Sequence, residues 1–256
     1  MMRQTFALCA LIWLQIASAA TVAVEVHPAG ATVPENLLRI ELRFREPQRL
    51  PFDTRRLQLV DSTGIPITNS LLDLALPDAE GRRISVLLDP GRVKTDVGPN
   101  LSAGRALQEG ETVRLMVANT SPGEPPVFKQ WTVTSFDAEV LRPELWHLRV
   151  PRIRSHDALV VNMHQPISSS GERFIAVRDP AGLSVSGRIS LEDGDTVWRF
   201  TPSRSWQEGT YALVTHPDLE DPAGNRSCAA FEEIRASQVR CDMGVEIPFI
   251  PAVAFH

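Results

Sequence analysis

The sequence predicts an all-β protein built from two tandem β-sandwiches behind a short export leader. Three observations carry this: apolar and polar residues alternate in short runs, those runs recur in the same order, and the first nineteen residues differ in kind from the rest. In the clearest run, Leu38, Ile40, Leu42 and Phe44 alternate with Arg39, Glu41, Arg43 and Arg45. A period of two puts the apolar set on one face and the charged set on the other, as in a half-buried strand with its charges outward. Ile84, Val86 and Leu88 keep the rhythm, as do Val113, Leu115 and Val117, then Leu159, Val161 and Met163, then Trp198 and Phe200, then Tyr211 and Leu213. Turn-formers punctuate them at Asp61-Ser62-Thr63-Gly64, Asp78-Ala79-Glu80-Gly81, Asp179-Pro180-Ala181-Gly182 and Glu192-Asp193-Gly194-Asp195. Many short strands with such turns, and no long helical period, predict a sandwich.

Arg3 is the only charge in the leader. An apolar run from Phe6 to Ile16 follows, and Ala17-Ser18-Ala19 closes it. A positive end, an apolar core and an A-x-A site are the layout of a secretory signal peptide, residues 1–19. The run is short of the roughly 20 residues that span a bilayer. No later stretch is long and apolar enough, so the mature chain is expected to have no integral membrane segment. Cleavage after Ala19 leaves two of the 3 cysteines, Cys228 and Cys241. An even pair in an exported chain reads as a disulfide, which contributes about 3 kcal/mol in the chain-entropy model. Free thiols or a metal pair are the alternatives, and the spacing lacks the close C-x-x-C of metal and redox motifs.

Internal similarity sets the domain count. LRIELRFREP (38–47) aligns with DALVVNMHQP (157–166) at an offset of 119, placing Ile40, Leu42 and Phe44 over Leu159, Val161 and Met163. LVDSTG (59–64) aligns with AVRDPAG (176–182), with Asp61 over Asp179 and Gly64 over Gly182. VLLDP (86–90) falls on WRFTP (198–202) at offset 112, and LQEG (107–110) on WQEG (206–209) at offset 99. The expected division is a sandwich at 20–136, a second at 137–240 and an apolar C-terminal tail at 241–256. The drop in offset from 112 to 99 places a 13-residue insertion within 91–106 of the first copy. This predicts a polar surface loop, a kind of segment that carries function more often than the scaffold does. A neutral insertion is the alternative, since it costs little entropy.

The net charge is −5, with 24 Arg and 2 Lys and no basic block. Such a chain is not expected to bind nucleic acid. It has no G-x-S-x-G, no H-E-x-x-H and no phosphate loop. No catalytic residue and no cofactor are therefore assigned.

The run FTPSRSWQEGTYALVTHPDLEDPAGN resembles the second half of SbsA-type bacterial Ig-like domains. Its F-x-P, its turn ending in Gly, the Tyr two residues on and its D-x-A-G-N stand at Phe200, Pro202, Gly209, Tyr211, Asp221, Ala223, Gly224 and Asn225. HPAGATVPENLLRIELRFREP resembles the N-terminal strand pair of the same family. SPGEPP at 121–126 departs from it, standing where the first copy would carry D-x-A-G-N. The resemblance makes the fold class all-β, with two tandem Ig-like β-sandwich domains after a cleaved signal peptide. Independently, Gly209 suits a turn needing positive φ. Tyr211, the only tyrosine, is placed to put its ring in the core and its hydroxyl on nearby backbone. Asp221 to Asn225 reads as a tight turn.

Two places in the chain offer metal ligands. Asp218, Glu220, Asp221 and Asn225 offer a calcium loop, though calcium takes six to eight oxygens. His27, Met163 and His164 offer imidazole and thioether ligands for copper, and HPAGATV bears some likeness to exported CopC-type copper-binding sandwiches. The bland reading, turn carboxylates, solvated histidines and a core methionine, is preferred for both. Trp131, Trp146, Trp198 and Trp206 invite a carbohydrate-stacking reading, with core packing as the reading set beside it. Trp198 is expected in the core, Trp131 and Trp146 between the two copies, and Trp206 exposed on its turn. The tail carries Val245, Ile247, Phe249, Ile250, Val253 and Phe255, with Pro248 and Pro251 excluding a central strand. It is expected to lie across its own domains rather than on a partner's sheet edge. The functional expectation is an exported, non-enzymatic structural or protein-interaction module of the bacterial cell envelope, periplasmic or extracellular, with a protein partner. A copper- or calcium-binding protein and a carbohydrate-binding accessory module are the alternatives.

Overall fold

The computed structural model describes residues 24–94, 98–118, 123, 125–231 and 243–253. The signal layout at 1–19 and Cys241 lie outside the described residues, as do residues 121, 122 and 124 of the 121–126 segment. In the first half, the strands are β1 (Val24–His27), β2 (Thr32–Pro34), β3 (Arg39–Phe44), β4 (Leu57–Val60), β5 (Leu71–Pro77), β6 (Arg83–Leu88), β7 (Thr112–Val117) and β8 (Val127–Thr134). They form two sheets, β1-β3-β6-β5 and β2-β8-β7-β4. All pairings are antiparallel except β2 with β8, which is parallel. Inward residues of both sheets, among them Ile40, Leu42, Ile84, Val86, Val113, Leu115 and Trp131, make one core.

The second half contributes β9 (His147–Arg149), β10 (Leu159–Asn162), β11 (Ile175–Arg178), β12 (Gly187–Glu192), β13 (Val197–Pro202), β14 (Tyr211–Thr215) and β15 (Glu246–Phe249). Its sheets are β12-β13-β10-β9 and β11-β14-β15. Four strands facing three in this order is the constant-type immunoglobulin arrangement. The first half has the same order with β2 added. The chain is thus all-β and Ig-like, with a separate core in each half.

The repeat extends to atomic detail at the turns. Asp61 Oδ1 accepts from the N–H of Thr63 and Ile65, and Asp179 Oδ1 accepts from those of Ala181 and Leu183. Each carboxylate caps its turn as an extra backbone acceptor would. The ladder differs from the sequence alignment by two residues. Ile40 faces Val86, whereas its aligned counterpart Leu159 faces Phe200 and not Trp198. A two-residue slide keeps every side chain on its own face, so alternation alone leaves it undetermined.

The 91–106 insertion is folded and not an irregular polar loop. It contains α1 (Pro90–Val93) and α2 (Gly98–Ala103). Asp89 caps α1 by accepting from Gly91 N–H at 2.8 Å. Arg92 is buried and donates to the carbonyls of Gly104, Thr68 and Arg105. These bonds offset the burial of its charge, and Val93, Ala106 and Leu107 join the core.

Residues from the C-terminal segment complete the second sandwich, which therefore extends past residue 240. β15 pairs antiparallel with β14, Tyr211 opposite Phe249. Pro248 is accommodated because β15 is an edge strand, one side of which needs no ladder donor. The tryptophans correct three expectations. Trp131 and Trp146 belong to the first and second cores respectively and do not pack between the halves. Trp206 is 1% exposed, not on the surface. It packs edge-to-face on Phe200, Tyr211 and Phe249, with its indole N–H on the Asp157 carbonyl at 2.8 Å. Trp198 lies in the core as expected.

Candidate functional site

The charged face of β3, expected to be solvated, is covered by the second half. Glu41 is buried and its Oε2 accepts from Ser170 N–H at 2.7 Å. Arg43 Nη2 donates to Glu172 Oε2 at 2.8 Å, and Arg83 of β6 pairs with Glu172 Oε1. Arg39 pairs with Glu220. One carboxylate between two guanidiniums is the geometry that lets charges be buried at a junction.

The turn at Asp221–Asn225 is the second point of contact. The N–H groups of Leu38 and Arg39 both donate to the Pro222 carbonyl, at 3.0 and 3.2 Å. Gly224 has φ +87°, and a Cβ there would sit 2.8 Å from Leu38 Cδ2, so both conformation and contact require glycine. Asp221 is buried. Its Oδ1 accepts from Asn225 N–H and its Oδ2 from Asn225 Nδ2, both at 2.9 Å. Burial pushes its carboxyl up to about 7, outweighing the two amide donors, with Asp137 adding like-charge repulsion. Burial also raises the Asp137 carboxyl. Asp137 joins the halves: its carbonyl accepts from Asn36 Nδ2 and Asn225 Nδ2, and its N–H donates to Asn36 Oδ1.

The third contact runs from the end of β1. His27 Nδ1 lies 2.8 Å from Asp195 Oδ1, and Ala29 N–H donates to Asp195 Oδ2 at 2.7 Å. Asp195 reaches this position from a turn in which Asp193, Gly194 and Asp195 all have positive φ. His27, Arg39, Glu41, Ser168, Asp195 and Pro222 surround a cavity of about 10 Å³. Two buried nitrogens beside it, His27 Nε2 and Arg39 Nε, have no partner among the described residues.

The residues singled out for metal binding do not converge. Asp218 pairs with Arg226, and Glu220 with Arg39 and Arg226, while Asp221 and Asn225 bond each other. Asn225 Oδ1 also accepts from Phe231 N–H. His27 is at the junction, Met163 is in the second core, and His164 is exposed with Nε2 on the Leu145 carbonyl. Among the described residues no group of three His, Cys, Asp or Glu stands ready for a metal. Cys228 lies on the exposed part of the loop after β14. Sequence reasoning missed Asp195, Glu41 and Glu172. Asp195 looked like an ordinary turn residue, and alternation assigned Glu41 to solvent.

A different surface is open. A groove of about 540 Å³ runs over the outer face of β11-β14-β15, lined by Phe174, Ala176, Arg178, Val214, His216 and Met243 among others. Phe174 stacks on His216 at 5.1 Å, and Met243 is 86% exposed. Among the described residues no helix is long and apolar enough to cross a membrane.

No family model and no curated protein matches the chain. Solved structures similar to it are tandem Ig domains. A chimeric titin Z1Z2 carrying a decorin peptide has 11% identity over 88% of this chain and 92% of that one, with a TM-score of 0.29. The N-terminal Ig1-2 module of the Drosophila receptor protein tyrosine phosphatase DLAR has 12% identity over 76% and 91%, with a TM-score of 0.26. Titin Ig tandem domains A164-A165 have 8% identity over 84% and 87%, with a TM-score of 0.25.

Proposed function

We propose that the chain is an exported, non-enzymatic structural or protein-interaction module of the bacterial cell envelope, of the SbsA-type Ig-like kind. The observation that carries this is how the buried polar side chains are used. Asp221, Asn225, Glu172, Glu41, His27 and Asp195 are all spent on holding turns and joining the two halves. The apolar groove over β11-β14-β15 is left as the surface with which to meet a protein. Export rests on the signal layout at 1–19. A Cys228–Cys241 bridge belongs to the same reading. It agrees with Cys228 not being a free thiol, and peptide mapping with and without reductant tests it.

The groove is tested by affinity capture from an envelope fraction, comparing wild type with Val214→Glu and Phe174→Glu. Loss of the captured proteins from both variants, with folding intact, is the expected result. Capture of the same proteins by all three would sink the groove as the binding face. Pairing of Asp218 and Glu220 with arginines and burial of Trp206 support the interaction reading over the calcium and carbohydrate alternatives.

A further inference from the structure

The pairing of β9 with β10 sets His147 opposite Asn162. His164 stands two residues beyond Asn162, so its side chain leaves the same outer face of the sheet, diagonal to His147. Both histidines are exposed, and their ring centroids lie 5.9 Å apart with the planes at 68°. No strand or helix spacing relates positions 147 and 164, so only the ladder brings the two rings together. We propose that this pair is a two-histidine site for a divalent first-row transition-metal ion, Cu2+ or Zn2+. It lies on the sheet β12-β13-β10-β9, whereas the groove lies on the other sheet, β11-β14-β15. The proposal therefore goes beyond the interaction reading without depending on it.

The ligand chemistry selects the class of ion. Imidazole nitrogen suits copper and zinc, while calcium and magnesium take oxygen. One ring is already oriented. His164 Nε2 lies 3.0 Å from the Leu145 carbonyl, and a carbonyl oxygen bonds only to a donor. The N–H is thereby placed on Nε2, and in the neutral ring Nδ1 keeps the lone pair that a metal needs. Ligating histidines are held in this way, with one nitrogen on a carbonyl and the other on the ion. The His147 ring makes no hydrogen bond among the described residues, so both of its nitrogens are uncommitted.

The spacing also fits. Metal–imidazole bonds of about 2.0–2.1 Å at a tetrahedral angle hold two ring centroids about 5 Å apart. The observed 5.9 Å is within about 1 Å of that, a shift that exposed side chains make by torsional motion alone. Nearby charges are mixed. Glu139 and Arg142 line the hollow beside His164, and Arg149 follows His147 on the same face of β9. The ion is thus held by the imidazoles and not by a general acidic field. Two protein ligands leave the remaining positions to water, which makes the site an open one.

The full chain, purified without a metal-affinity tag, is titrated at neutral pH with Cu2+, Zn2+ and Ca2+ separately. Calorimetry should give one Cu2+ or Zn2+ per chain and no heat with Ca2+, with Cu2+ the tighter of the two. In NMR the imidazole signals of His147 and His164 should be the ones that shift with Zn2+ and broaden with Cu2+. His147→Gln and His164→Gln should each weaken binding at least about tenfold, because either change removes the effective concentration that joins the rings. His216→Gln, on the other sheet, should bind as the wild type does. Binding that survives both substitutions at 147 and 164 would overturn the proposal. So would signals that move at other histidines while these two stay still, or the absence of heat and of any shift with both metals; the wild-type spectra decide this without any variant.

Discussion

Tyr211 acts at the strand entry as an anchor with two ends. Its ring packs on Trp206 and stacks on Phe249, and its hydroxyl accepts from Gln207 N–H at 3.0 Å. The upstream backbone bond is that of a tyrosine corner. Tyr211→Phe keeps the ring and leaves that N–H without its acceptor. It should cost about 1–2 kcal/mol in urea unfolding, without changing the fold by circular dichroism. Asp221 gives a prediction with a sign. Its folded carboxyl is raised from 3.8 to about 7. The folded state thus holds a proton that the unfolded chain gives up in between. Stability from this group is greatest below about pH 4 and is lost as pH rises through about 7, by on the order of 4 kcal/mol. Unfolding measured against pH should show that decline in wild type and lose it in Asp221→Asn. Exposed carboxylates with lowered values, such as Asp61, act only at lower pH, and the variant leaves them untouched.

At the scale of elements, the insertion and the C-terminal strand were the parts least open to sequence reasoning. The insertion holds its shape through Arg92, one side chain serving three carbonyls from 68 to 105. Arg92→Met fills similar space and satisfies none of them. It should lower the stability of the first sandwich by about 2–4 kcal/mol, read by urea unfolding. β15 carries Phe249 into the aromatic group of Trp206 and Tyr211. Phe249→Ala should cost about 3–4 kcal/mol. Truncation after residue 242 should abolish folding of the second sandwich, visible as Trp206 fluorescence shifting to the solvent-exposed wavelength. Strand alternation located β3, β6, β7, β10, β13 and β14, because in each a regular apolar set at every second residue enters a sandwich core. Val245, Ile247 and Phe249 alternate with Glu246 and Pro248, but the prolines spoke against a central strand, and it is the pairing with β14 that identifies β15.

At the scale of the whole molecule, the contacts that join the two sandwiches among the described residues include a set of buried and half-buried polar groups. Glu172 is the hub, taking Arg43 and Arg83 together. Glu172→Ala leaves two guanidiniums at the seam without their anion and should cost about 3 kcal/mol. In calorimetry the wild type should unfold in one transition and the variant in two, since the halves keep separate cores and lose their coupling. A single unsplit transition in the variant would mean that the seam contributes little to cooperativity. Small-angle scattering of the same variant should show a longer maximum dimension.

By itself the sequence determined the all-β class, the doubling and the positions of the turns. These depend on local quantities: a period of two, an Asp three residues ahead of a Gly, and a repeat that preserves order. The D-x-x-G carboxylates at Asp61, Asp179 and Asp221 could be read because each bonds only to its own turn. What tertiary structure alone decided is which polar face meets water. Arg39, Glu41 and Arg43 have the spacing of any solvated strand face, and they become a buried seam because Ser170, Glu172 and Glu220, far along the chain, lie over them. The two-residue slide of β10 against β13, the burial of Trp206 and the meeting of His27 with Asp195 have the same cause. Each is a contact between distant segments, and no period, motif or composition within either segment encodes its partner.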